Sequence, residues 1–177
     1  MARKTASKKL SPKKSPKNPA VSRDLATWNR KAERAIEDLI DFALHFPALR
    51  KRGPKTGEWR VGVRLVGNAE MKKLNAHYRK KDYATDVLSF TSPEPFRSMG
   101  YLGELAIALP VLKRQAREHH HSAEAELWIL LTHGLLHLLG MDHEESAKAA
   151  KEQHTWEARL LAFTDIPHER SLIGRAK

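Results

Sequence analysis

Residues 133–143 read His-Gly-Leu-Leu-His-Leu-Leu-Gly-Met-Asp-His. Upstream of them Leu127, Leu130 and Leu131, and within them Leu135 and Leu138, fall at helical spacings, with Ser122 placed to cap the helix start. On such a helix His133 and His137 lie one turn apart on one face and can share a ligand. Gly140 follows the last apolar position and accepts a left-handed backbone cheaply, so it ends the helix and turns the chain. His143 can then come back toward the same point. The sequence contains no cysteine, so a metal must rest on His, Asp and Glu. Three imidazoles suit one Zn2+ ion, held in tetrahedral geometry with a fourth position left for water, the mark of a catalytic rather than a structural site. One histidine in a Leu-rich helix is usually a hydrogen-bonded core residue; three at this spacing around a turn-forming glycine are not. Asp142, beside the third histidine, reads equally well as an acceptor orienting a ligand imidazole or as a turn former next to Gly140. His119-His120-His121 precedes the Ser122 cap with no turn to converge it, and reads as a solvated connector.

Working toward the N-terminus, Pro110 suits the first turn of a helix running to about Glu118. Leu102–Leu109 and Val87–Phe90 read as strands, separated by a Pro-containing loop from Thr91 to Gly100. Asn68 can cap a short helix with Met71, Leu74 and Tyr78 on one face. Trp59, Val61, Val63 and Leu65 alternate with Glu58, Arg60, Gly62 and Arg64, as in a half-buried strand. Leu25, Trp28, Ala32, Ile36, Leu39 and Ala43 repeat at three and four residues from a cap at Ser22, and Pro47 with Gly53-Pro54 closes that helix. After the metal motif, Ala149, Trp156 and Leu160 mark a last helix over about Glu145–Phe163. The order α-β-α-β-β-α-α-α predicts an α+β fold: a small mixed β-sheet packed with helices, the metal site on a helix and the turn after it.

The chain has 177 residues, enough for one domain with a real core. Its net charge is +11, but Arg3, Lys4, Lys8, Lys9, Lys13, Lys14 and Lys17 lie in an acid-free segment, and without those seven the charge is +4. Residues 1–20, low in complexity and rich in Lys, Ser and Pro, are expected to form a disordered basic tail that attracts polyanions, with a single domain over 21–177. No apolar run is long enough to span a bilayer, and the basic N-terminus lacks a signal-peptide core, so the expected setting is the cytoplasm with no membrane partner.

The spacing H-x3-H-x2-G-x2-H coincides with that of the metzincin proteases, whose general-base Glu follows the first His. Gly134 stands there, so peptide hydrolysis loses its base. A different resemblance is specific. HGLLHLLGMDH resembles the signature of the YbeY family, bacterial endoribonucleases of ribosomal RNA maturation, with Met141 where that family usually has Tyr. Leu74-Asn75, Tyr78-Arg79, Lys81-Asp82 and Thr85-Asp86-Val87-Leu88-Ser89-Phe90 match its LN…YR…TDVLSF segment, and Leu102-Gly103-Glu104 matches its LGD element with Glu for Asp. The resemblance covers roughly residues 57–160.

The resemblance implies a zinc-dependent, single-strand-specific endoribonuclease in ribosomal RNA processing, at the 16S 3′ end, and in ribosome quality control. Its partners would be ribosomal RNA and the small ribosomal subunit, with no organic cofactor. It also implies that Arg79 acts with His133, His137 and His143 in catalysis. A guanidinium suits that role because its fork of donors fits a phosphate and can stabilise charge building at phosphorus. Asp82, Asp86, Thr85 and Ser89 read as residues that fix the loop and the strand start. The sequence leaves both water and the RNA 2′-hydroxyl as the attacking group. The alternatives are a zinc peptidase and a metal-containing ribosome-assembly factor without nuclease activity. No aromatic-rich RNA-reading motif is evident.

Overall fold

The computed structural model of the chain describes residues 19–55 and 58–164; most of the expected basic tail lies outside them. In chain order the elements are α1 (Pro19–Ala43), α2 (Pro47–Arg50), β1 (Arg60–Val66), α3 (Asn68–Arg79), β2 (Val87–Thr91), β3 (Tyr101–Ala108), α4 (Leu109–Glu118), α5 (Ala123–Leu138) and α6 (Ala147–Leu161), followed by one 3-10 turn, Ala162–Thr164. The strands form one sheet in the order β1-β3-β2, with β1 parallel and β2 antiparallel to β3. The α+β expectation holds. Three local expectations do not. α1 begins at Pro19, so Ser22 lies inside it; proline is at home in a first helical turn, where its missing N–H costs nothing. Pro47 likewise opens α2 instead of only closing α1. Asn68 is the first residue of α3, whose cap position is Gly67.

β3 lies at the centre of the sheet and separates two apolar layers. Leu105 and Ile107 point into the main core with α1 and α5, whereas Ala106 and Ala108 face Met71 of α3 and Val111 of α4. This is the two-faced period of a strand, with helices covering both sides. α5 is apolar nearly all round: Leu127, Ile129, Leu130, Leu131, Leu135, Leu136 and Leu138 are all buried. A helix without a polar face belongs at the centre of the molecule, and each buried aliphatic side chain of α5 contributes roughly 1.5–3 kcal/mol. The outer edge of β1 is met by α1, where Asn29 Oδ1 accepts the Leu65 N–H at 2.8 Å.

The motif residues outside α5 hold the loop between α3 and β2. Asp86 Oδ1 accepts from Val87 N (2.8 Å) and Thr85 Oγ1 (3.1 Å), and its Oδ2 accepts from Gln115 Nε2 of α4 (2.9 Å). Buried Asn75 donates to Tyr83 O at 2.8 Å, and Lys72 pairs with Asp82. The structural reading of Asp82, Thr85 and Asp86 therefore stands.

Candidate metal centre

His133 and His137 project from the last turns of α5. Gly140, at φ +77, reverses the chain after Leu138 and returns His143 toward both. The ring of His143 lies 5.2 Å from that of His133 and 5.3 Å from that of His137, which are themselves 4.6 Å apart. The Nε2 atoms of His133 and His137 approach to 3.0 Å, and one ligand nitrogen from each of the three residues lies within 4.8 Å of the others. Nitrogens bound tetrahedrally to one zinc would be separated by about 3.3 Å. The His133–His137 pair is already near that separation, and the three nitrogens together are close enough to hold one ion.

The supporting hydrogen bonds decide which nitrogens face inward. His133 is buried, and its Nδ1 lies 2.7 Å from Glu157 Oε1 on α6, with the Gln153 amide 3.3 Å from the same atom. A carboxylate only accepts, so Nδ1 carries the hydrogen and the Nε2 lone pair is left for a ligand. His143 Nδ1 is buried and has no hydrogen-bond partner among the described residues, so no protein group competes for that nitrogen. Asp142 stands exposed on the turn, where its Oδ1 accepts from Glu144 N at 2.9 Å. Of its two sequence readings, this hydrogen bond is the turn-forming one. The acceptor on a cluster imidazole is Glu157, which the sequence reading missed. A signal existed: Gln153 and Glu157 share the buried face of α6 with Trp156, Leu160 and Leu161, and a carboxylate on an apolar stripe calls for a buried partner.

Burial pulls the His137 pKa down to about 4, helped by the neighbouring imidazoles of His133 and His143 and by Arg79, against a smaller opposing effect of Asp142. The ring is therefore neutral near pH 7, as a metal ligand must be. Folding lowers this pKa below the usual 6.5, so between about pH 4 and 6.5 the unfolded chain binds the extra proton. Stability of the chelated protein should accordingly rise with pH across that window and level off above it. Thermal melts in chelator at a series of pH values check this; a flat profile from pH 4 to 6.5 would contradict it.

Arg79 is the last residue of α3 and exposed, and its charge reaches His137. Arg97, also missed from sequence, holds the end of α5: its Nη1 donates to Leu138 O at 3.0 Å, a cation on the negative end of the helix. Gly134 explains the missing protease base in steric terms. A Cβ there would lie 2.7 and 2.9 Å from the two terminal methyls of Leu105, so this position faces the sheet and has no room for a glutamate.

The His119–His121 run is not, as the sequence suggests, solvated throughout. His119 and His120 are exposed, but the His121 side chain is 2% exposed and its Nε2 lies 3.0 Å from Glu126 Oε2, which is fully buried in the first turn of α5. The backbone turn at His120, φ 55, directs it inward. It is a buried imidazole–carboxylate contact at the opposite end of α5 from the cluster.

A family model described as Endoribonuclease YbeY matches residues 22–164. The chain is similar to a protein named Endoribonuclease YbeY of Solibacter usitatus, 50% identical over 97 residues that cover 54% of this chain and 63% of that protein. It is 45% identical to the one of Pseudomonas entomophila over 122 residues, 68% of this chain and 75% of that protein. For Acinetobacter baylyi the identity is 38% over 146 residues, 80% of this chain and 86% of that protein. Among solved structures, the solution structure of TM1509 from Thermotoga maritima superposes with a TM-score of 0.50 at 27% identity, covering 83% of this chain and 93% of that one.

Proposed function

The chain belongs to the endoribonuclease YbeY family, and from that premise we propose that it is a zinc-dependent endoribonuclease that cuts single-stranded ribosomal RNA. The observation that carries this reading is the convergence of His133, His137 and His143 on one point, within the field of Arg79. We assign one Zn2+ to the three imidazoles, with Glu157 fixing the tautomer of His133. Bound there, the ion supplies a Lewis acid for the phosphoryl group being cleaved.

The remaining chemistry falls to the chain's own groups. Arg79 binds the scissile phosphate through its planar fork and stabilises the negative charge that grows on the phosphoryl oxygens. Its positive charge also opposes protonation of His137, keeping that nitrogen's lone pair available. The interface between α5 and β3 offers no general base, because Gly134 packs on Leu105; this counts against the peptidase alternative. Ribosomal RNA in the small subunit is the proposed substrate, the cytoplasm the proposed setting, and the acid-free residues 1–20 a salt-sensitive source of phosphate attraction ahead of one domain over 21–177. Among the described residues no helix is long and apolar enough to cross a membrane.

The test is cleavage of a purified ribosomal RNA fragment by untreated, chelator-stripped and zinc-restored protein. Activity should disappear with the metal and return with zinc. Arg79→Ala in the zinc-loaded protein should lower kcat by roughly 10²–10³-fold, the size of losing one charge-stabilising donor, with Arg79→Lys intermediate because it keeps the charge but not the fork. Zinc-loaded protein that leaves the RNA intact would overturn the reading.

A further inference from the structure

α3 ends on Tyr78-Arg79, and Lys80-Lys81 follow directly. Tyr78 was expected on the apolar face of this helix, yet it is 60% exposed. Single exposed aromatics are common and mean little alone. This one is held in place. Its ring lies 4.8 Å from that of Phe90 on β2 at 65° and 4.6 Å from that of His77 at 82°. Two steeply inclined neighbours fix its orientation while most of the residue faces solvent. A rigid aromatic surface loses little conformational entropy when something stacks on it.

The charge around it has one sign. Residues 70–82 carry Lys72, Lys73, Arg79, Lys80 and Lys81 against only Glu70 and Asp82. Both carboxylates are already engaged, Glu70 with Arg64 at 2.7 Å and Asp82 with Lys72 at 3.1 Å. Lys80 takes the left-handed conformation that ends the helix, φ 58, and Lys73, Lys80 and Lys81 are all exposed. A fixed aromatic surface, an excess of cations and the residue whose charge reaches His137 are therefore contiguous. That combination fits a polyanion with flat apolar groups, which is what an unpaired nucleic acid strand presents.

We propose that Tyr78 is the stacking platform for one unpaired base of the RNA, next to the phosphate held at Arg79, and that this contact selects single strands over duplexes. The proposal rests on the RNA-cleaving reading above and adds a base subsite to it. A base within a duplex has both faces covered by its neighbours and cannot lie on a side chain without being unstacked first. Stacking also tolerates any base, since each has a π face.

The experiment is fluorescence anisotropy of the zinc-loaded full chain with a short 2′-O-methylated single-stranded RNA at 4 °C, at two salt concentrations, comparing wild type, Tyr78→Ala and Tyr78→Trp. Tyr78→Ala should weaken binding by about 5- to 100-fold, the effect of losing one stacked base, and Tyr78→Trp should restore it. The loss should be the same at both salts, because stacking releases no counterions, whereas Lys80→Ala should reduce the salt dependence itself. Unchanged melting of Tyr78→Ala separates this from misfolding. The stacking proposal alone fails if wild type binds and Tyr78→Ala binds within twofold of it, or if Tyr78→Trp is as weak as the alanine variant. If the wild type binds no RNA, this proposal and the nuclease reading fail together, and a protein partner becomes the better occupant of the surface.

Discussion

Replacing His133 by alanine should damage the protein twice, whereas replacing His137 should damage it once. Either change removes one of the three converging imidazoles, so either should weaken metal binding by more than the roughly 10–100-fold that loss of an outer hydrogen bond costs. His133 has a second role, because its Nδ1 satisfies the carboxylate of Glu157, whose side chain is 1% exposed. Alanine leaves that buried carboxylate short of a hydrogen bond, at a cost of roughly 3 kcal/mol. For a domain of this size that corresponds to a melting temperature lower by about 6–12 °C. His137 is less buried and its pKa of about 4 reflects an unfavourable site for charge, so its removal should leave the chelated protein close to wild type in stability. Melts in chelator, with zinc affinity measured by competition, separate the two effects. Equal melting temperatures for the two variants would show that Glu157 does not depend on His133. Glu157→Gln offers a graded check: the amide can still accept from Nδ1 through its carbonyl oxygen, so metal binding should fall less than for Glu157→Ala.

Gly103→Ala should be the most disruptive single-methyl change in the sheet. A Cβ at this position would sit 2.1 Å from the carbonyl oxygen of Phe90 and 2.9 Å from Leu138 Cδ2, and the backbone is at φ +146. Phe90 belongs to β2, paired with Glu104, the next residue of β3, so the clash is relieved only by parting the β2–β3 ladder. Strain at a glycine-only conformation plus a clash with backbone places the cost at about 4 kcal/mol or more. The disturbance also runs straight into the site, through Leu138 at the end of α5 and through the strand that fixes Tyr78. Purified Gly103→Ala should melt at least about 8 °C below wild type, or fail to accumulate. Gly67→Ala is the control: nothing lies within 4 Å of a Cβ there, and its effect should stay within about 1 kcal/mol. Matching behaviour of the two variants would mean that β2 yields to the extra methyl cheaply.

Much of this protein is written in patterns shorter than two helical turns. The leucine spacing of α5, its Ser122 cap, the His133–His137 pair and the Gly140 reversal are local, since each depends on backbone periodicity or on the conformational freedom of one residue. The alternation of β1 and the proline at the start of α4 are local in the same way, so the sequence alone determined the α+β order and the three converging histidines. Where it misplaced boundaries, at Pro19 and Pro47, the same local rule admitted two answers, because proline both stops one helix and starts another.

What only the tertiary structure decided are the contacts between residues far apart along the chain. Glu157 meets His133 across 24 residues and Arg97 meets Leu138 across 41; neither pair leaves a periodic trace. His121 turned inward to Glu126, against the solvated reading, because the turn at His120 aims it there. Glycine at 103 is required by the carbonyl of a neighbouring strand, and Tyr78 is fixed by a ring on that strand. Periodicity states which face of an element is buried, but not which element will cover it; that is settled when the sheet and the helices pack against one another.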